Sequence, residues 1–212
     1  MRRRFFAPAL VIALFAATLF SAPVHAQTRP SAAPAARSVP APEEVIGFRV
    51  GEDRKLAGWA SIVEYFRRLD AASERVRFEE LGRTTLGAPF VMATISAPEN
   101  LARLSEFKEI QRQLADPRTI NKDGGKGGAA ADTRARALVA RGKTIVLITC
   151  GIHSTEVGST LSSMLIAHRL ASSDDPVVRQ VLQNTIVLLV PSLNPDGVDI
   201  VKNWYDRTLG TP

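Results

Sequence analysis

The chain has 212 residues, of which 45% are hydrophobic and 23% charged, and a formal net charge of +6. That length allows one ordinary domain with a hydrophobic core, if most of the chain belongs to it. Arg2, Arg3 and Arg4 supply three of the positive charges, and the remaining 6 − 3 = +3 is too small a balance to argue for a nucleic-acid partner.

The first segment combines those arginines with an apolar run from Phe5 to Phe20 and ends in Val24-His25-Ala26 before Gln27. A basic start, a short apolar middle and small residues at the end describe a cleaved signal peptide over 1–26. The alternative is a membrane anchor, but a spanning helix needs roughly 20 apolar residues, and this run is shorter. The expectation is export to the periplasm or the extracellular space, a mature chain starting at Gln27, and no stable membrane insertion once the leader is gone. Residues 27–44 are rich in Pro, Ala and Ser with little to bury, which reads as a disordered linker. The folded domain is expected from Val45 to Pro212.

Trp59, Ile62, Val63, Phe66 and Leu69 recur at three- and four-residue spacing and place one face of an amphipathic helix. Val76 and Phe78, the turn residues Gly82 to Gly87, and the apolar run Phe90 to Ile95 together read as a β-hairpin. Helical spacing returns at Leu101, Leu104, Phe107, Ile110 and Leu114. The Pro-, Gly- and Lys-rich stretch Asp116 to Asp132 reads as a flexible surface loop. It is not a phosphate loop, since no strand enters it and no Gly-Lys-Ser/Thr follows.

Thr144 to Thr149 is an unbroken apolar run, as a strand covered on both faces requires. Gly151 ends it. Val157, Leu161, Met164 and Leu165 then keep helical spacing within Glu156 to Leu170, and Thr185 to Val190 is a second such strand. Strand, helix and strand predict a right-handed crossover in an α/β domain with a mixed, largely parallel central sheet and helices on both faces. Ligands in such sheets bind beyond the carboxyl ends of the strands, here Gly151 to His153 and Pro191 to Gly197. The single cysteine, Cys150, cannot form an internal disulfide and lies in a strand pattern where a buried thiol is expected.

His153 and Glu156 stand three residues apart where the first strand gives way to the helix. In a helical turn such residues project to one side, so an imidazole nitrogen and a carboxylate oxygen can reach one ion at about 2 Å each. Two histidines and a glutamate form a catalytic zinc set that leaves a position open for water or substrate. A His-x-x-Glu string alone is a weak motif, and its context carries the weight.

Gly151-Ile152-His153-Ser154-Thr155-Glu156, followed after a helix by Pro191-Ser192-Leu193-Asn194-Pro195-Asp196-Gly197, resembles the carboxypeptidase A-like zinc carboxypeptidases, above all their secreted bacterial members. The resemblance runs from about Trp59 to the last residue. It implies a large mixed sheet, about eight strands, with helices on both sides. It also implies Zn2+ as cofactor, a peptide or protein as substrate, and His153 and Glu156 as the first two zinc ligands, with Asn194 to Gly197 shaping the cleft wall. Such enzymes place an arginine a little after that turn to polarise the scissile carbonyl and stabilise the oxyanion. Arg207 is the counterpart here, the alternative being an ordinary solvated arginine. Asp196 either orients a ligand or caps the turn.

The family pattern also calls for a second histidine ligand, a glutamate as general base and an asparagine–arginine pair, all well downstream. His168 lies twelve residues beyond Glu156 on the same expected helix, about 18 Å along its axis and too far to share the metal. The sequence is therefore read as the N-terminal part of a metallocarboxypeptidase, truncated at the C-terminus and inactive as it stands. Left open are an amidase acting on cell-wall peptides or a deacylase on the same scaffold, and a secreted binding module without catalysis.

Overall fold

The computed structural model describes residues 38–121 and 128–211. The expected signal peptide and most of the expected linker lie outside them. The described residues belong to one unit, with four strands and nine helices among them. The sheet is built from β1 (Val76–Arg83), β2 (Pro89–Ile95), β3 (Thr144–Thr149) and β4 (Thr185–Val190), in the order β1-β2-β4-β3. The β1–β2 pair is the expected hairpin, closed by a turn in which Gly87 N–H donates to Thr84 O.

The domain is mixed α/β, as expected, but the sheet is not largely parallel. β3 and β4 pair in parallel, whereas β1–β2 and β2–β4 are antiparallel. The hairpin accounts for the first pairing, and its second strand meets β4 head to tail.

β4 is one of the two inner strands, and its alternation explains the layers. Val187 and Leu189 face a core made with α2 (Trp59–Ala72), α7 (Val157–Ser172) and α8 (Pro176–Asn184). Ile186 and Leu188 face the other way, against Phe107 and Ile110 of α4 (Leu104–Ala115) and Leu138 of α6 (Ala129–Arg141). A strand with side chains buried on both faces is apolar nearly throughout, as β4 is from Ile186 to Val190. Helices on both faces follow from the same fact.

Among the described residues β3 is an edge strand, so the cover its apolar run calls for is lacking, and only Ile145 and Ile148 are partly buried. Leu147 is 61% exposed and Val146 38%. The opposite edge, β1, carries Arg77, Glu79, Glu80 and Arg83 toward solvent, the charged protection that edge strands usually have.

Other boundaries shift as well. Val39 packs against the main core and α1 (Glu43–Ile46) begins before Val45, so part of the segment assigned to the linker belongs to the folded body. The apolar Val39 and the Pro42 that opens α1 are too few to change the composition of a Pro- and Ala-rich window. The single helix expected around Leu101 to Leu114 is interrupted at Ala102–Arg103, giving α3 (Pro98–Leu101) and α4. The expected loop after Asp116 holds α5 (Pro117–Ile120) and the start of α6, while residues 122–127 lie outside the described residues. The polar turn after β4 leads straight into α9 (Pro195–Thr208), which the sequence reading did not anticipate.

α9 is tied back to the start of the domain. Helix α2 has no side-chain cap of its own at Gly58, and the Trp59 backbone N–H donates instead to Asp199 Oδ1 at 2.7 Å. Asp199→Ala is expected to cost about 1–2 kcal/mol, as loss of an N-terminal cap does, and Asp199→Asn, which keeps an acceptor, less than half of that. Chemical denaturation of the three proteins checks this, and equal stability of the alanine variant would count against the cap.

Candidate metal centre

The parallel pairing of β3 and β4 continues past both strands. Cys150 N–H donates to Val190 O at 3.0 Å and Leu193 N–H to Cys150 O at 2.8 Å, so the two strand ends leave the sheet side by side. Gly151 then turns the chain in a left-handed conformation (φ +52°). The turn is held from two sides, where Ser159 Oγ accepts from Gly151 N–H and Ser192 Oγ donates to Gly151 O, and Ser192 Oγ in turn accepts from Asn194 N–H. The loop carrying His153 and the Asn194 turn thus share one seam of hydrogen bonds.

His153 and Glu156 meet as their spacing predicts. Glu156 N–H donates to His153 O at 3.0 Å, closing the turn. The His153 Nδ1 stands 2.7 Å from Glu156 Oε1, and His153 N–H donates to Glu156 Oε2 at 3.1 Å. The hydrogen bond from the His153 ring, with help from the backbone, holds the Glu156 carboxyl below the usual glutamate range. Both side chains are open to solvent, His153 at 74% and Glu156 at 45%. Glu156 is the residue just before α7, so the pair lies in the connecting turn and not in the helix proper.

One imidazole nitrogen and one carboxylate oxygen suit zinc as donors. An ion about 2.0 Å from each at a tetrahedral angle would separate them by roughly 3.3 Å, so their direct bond has to open slightly for a metal to enter. Among the described residues no group of three or more His, Cys, Asp or Glu side chains is placed to hold a metal. The pair therefore fits as two ligands of a zinc site and not as a whole one. His168 lies far along α7, as expected from its position in sequence.

Arg207 is exposed in the last turn of α9, thirteen residues from Asn194 and about 20 Å along the helix from its start. Lys202, which no motif of the sequence marks, shares a hollow with His153, Ser154, Leu56 and Val157 and forms an ion pair with Asp206. The spacing of Lys202 and Asp206 on a helix was the available signal for that pair. Asp196 does something not anticipated. Its Oδ1 accepts from Thr84 Oγ1 at 2.5 Å and its Oδ2 from Leu86 N–H at 3.1 Å, so it fastens the β1–β2 turn to the start of α9. Capping falls to Asn194, whose Oδ1 accepts from Gly197 N–H.

Cys150 is buried beneath this seam, and burial raises its thiol pKa. Modification by an aromatic disulfide reagent is expected to be at least tenfold slower in the native chain than in denaturant, since the thiolate is the reactive form. Equal rates would show that the strand ends open freely.

No helix among the described residues is long and apolar enough to cross a membrane. No curated protein matches the chain. Solved structures similar to it include thrombin activatable fibrinolysis inhibitor (12% identity over 75% of this chain and 31% of that one, TM-score 0.47). Others are carboxypeptidase A from Helicoverpa armigera (15%, 80% and 32%, 0.46) and a metallo-carboxypeptidase from Burkholderia cenocepacia (19%, 65% and 26%, 0.35). The chain spans about a third of the first of these, and likenesses this distant add no weight of their own. The zinc carboxypeptidase family model, by contrast, matches residues 62–209, well over half of the chain and both motifs within it. The chain belongs to the zinc carboxypeptidase family.

Proposed function

We propose that His153 and Glu156 are two of the three protein ligands of a catalytic Zn2+ in a metallocarboxypeptidase that hydrolyses C-terminal peptide bonds, with the third ligand and the general base supplied from outside the described residues. The observation that carries this is the contact of an imidazole and a carboxylate at the carboxyl end of a parallel strand, within a chain of this family. Bound there, zinc supplies an activated water and a polarised carbonyl. The residues of this chain hold the ion, and a role for Arg207 at the oxyanion, which rests on the family resemblance alone, would need the far end of α9 to reach over the site. Residues 1–26 are proposed to direct export.

Two ligands hold a metal loosely, and a tight site takes three. Calorimetric titration with Zn2+ is expected to show weak binding by the chain as given, weakened about tenfold or more by His153→Ala or Glu156→Ala. No C-terminal amino acid should be released from a blocked dipeptide by this chain. A version continued past Pro212 with a histidine and a late glutamate should gain both tight zinc and release. Unchanged zinc binding in either substitution would end the assignment of the pair, and hydrolysis by the chain as given would show that the site needs nothing further. The absence of a third ligand among the described residues also suits a binding module without catalysis, which inactivity of the continued version would favour.

A further inference from the structure

We infer that Asn194, acting through Ser154, is a positioning residue for the metal pair, an inference that rests on His153 and Glu156 holding the ion. The Asn194 side chain has two ends with different tasks. Its Oδ1 must face Gly197 N–H, 3.0 Å away, because that amide needs an acceptor at the start of α9. This fixes the orientation of the amide group and leaves Nδ2 pointing toward the opposite loop. There it donates to Ser154 Oγ at 3.3 Å and Ile152 O at 3.4 Å. Those are the residues on either side of His153.

Gly197 bears on the same contact independently. A Cβ there would stand 2.1 Å from Ser154 Oγ and 2.6 Å from Asn194 Nδ2. The Ser154 hydroxyl therefore sits in space that only a glycine leaves free, at the first turn of α9. The exposure pattern says why this matters. His153 and Glu156 are largely open and touch each other, whereas Ser154 is half-buried and Gly197 buried. The exposed imidazole is mounted on backbone that is held at the residues before and after it. Ordering of that mount before the metal arrives removes part of the entropy that binding would otherwise cost, and partners of this kind typically change metal affinity about 10–100-fold.

The test must separate this role from helix capping. Serine caps a helix about as well as asparagine, but its hydroxyl is too short to reach Ser154 or Ile152. Asn194→Ser and Ser154→Ala are each expected to weaken Zn2+ binding about tenfold by calorimetry, with thermal midpoints within about 2 °C of the parent. The double variant should be no weaker than either single one, because both remove the same bridge. His153→Ala serves as the reference for loss of the metal. Parent-like zinc binding by Asn194→Ser and Ser154→Ala, beside loss in His153→Ala, overturns the positioning role and leaves the metal pair standing. Additive losses in the double variant, or a drop in midpoint that accounts for the drop in affinity, also overturn it. Unchanged binding in His153→Ala overturns both the pair and its mount.

Discussion

Gly151→Ala is expected to destabilise the domain by roughly 2–5 kcal/mol, a large share of the about 5–15 kcal/mol that holds a domain folded. Two costs combine. An alanine held at φ +52° is in the left-handed region, which disfavours a side chain by about 1–2 kcal/mol. The new Cβ would also stand 2.2 Å from Thr160 Oγ1 and 3.1 Å from Ser192 Oγ, both in buried residues, and overpacking of that kind costs about 1–3 kcal/mol. The seam cannot give way cheaply, because Ser192 is bonded to Gly151 O and to Asn194 N–H at once. Gly158→Ala is the matched control. It lies early in α7 with nothing within 4 Å of a new Cβ, so it should be neutral or stabilise by up to about 1 kcal/mol. Urea denaturation of the two variants decides the matter, and equal stability of Gly151→Ala and the parent would show that the loop is looser than its hydrogen bonds imply.

The second large effect concerns association. β3 is an edge strand whose sequence, Thr-Ile-Val-Leu-Ile-Thr, has neither charge nor proline and exposes Val146 and Leu147. Such an edge offers unpaired backbone groups and an apolar surface to another chain. The chain as given should therefore associate with rising concentration, and Leu147→Lys should move the onset at least tenfold higher while changing stability by no more than about 0.5 kcal/mol. Sedimentation velocity across a hundredfold concentration range tests both statements. A parent that remains monomeric throughout would mean that the edge is covered or otherwise inert.

How much of this was readable in advance depended on whether local pattern or tertiary placement decided each element. The α2 helix, the hairpin, β3, α7 and β4 all announced themselves, because Trp59 to Leu69 repeat at helical spacing, β1 alternates apolar and charged residues before a glycine turn, and β2, β3 and β4 are apolar runs. The spacing of His153 and Glu156 sufficed to bring the pair into contact, since their connection is a local turn. Sheet order was not readable. The residues of β3 and β4 look alike, and only the placement of β2 beside β4 makes one an inner strand and the other an edge. α6 was missed because Ala129 to Arg141 is rich in alanine and arginine and buries little, so it has no clear apolar stripe. α9 starts on an asparagine cap followed by proline in the first helical turn, a start signal masked by the turn character of Asn-Pro-Asp-Gly. The partners of Asp196 and Asp199 lie 112 and 140 residues away, and no pattern along one chain encodes such distances.

The clasp between Asp196 and the hairpin turn makes Leu86 a place from which to watch the site. Asp196 takes hold of the Leu86 backbone N–H, while the Leu86 side chain is 72% exposed and free of that contact. A cysteine introduced there and coupled to a small fluorophore would ride on backbone fastened to the start of α9, two residues from the asparagine that reaches the His153 loop. Since Cys150 is buried, the label would go selectively to the new thiol. Its anisotropy would then report whether the motif turn stiffens when zinc is added, in an unmodified metal pair and without any need for catalysis.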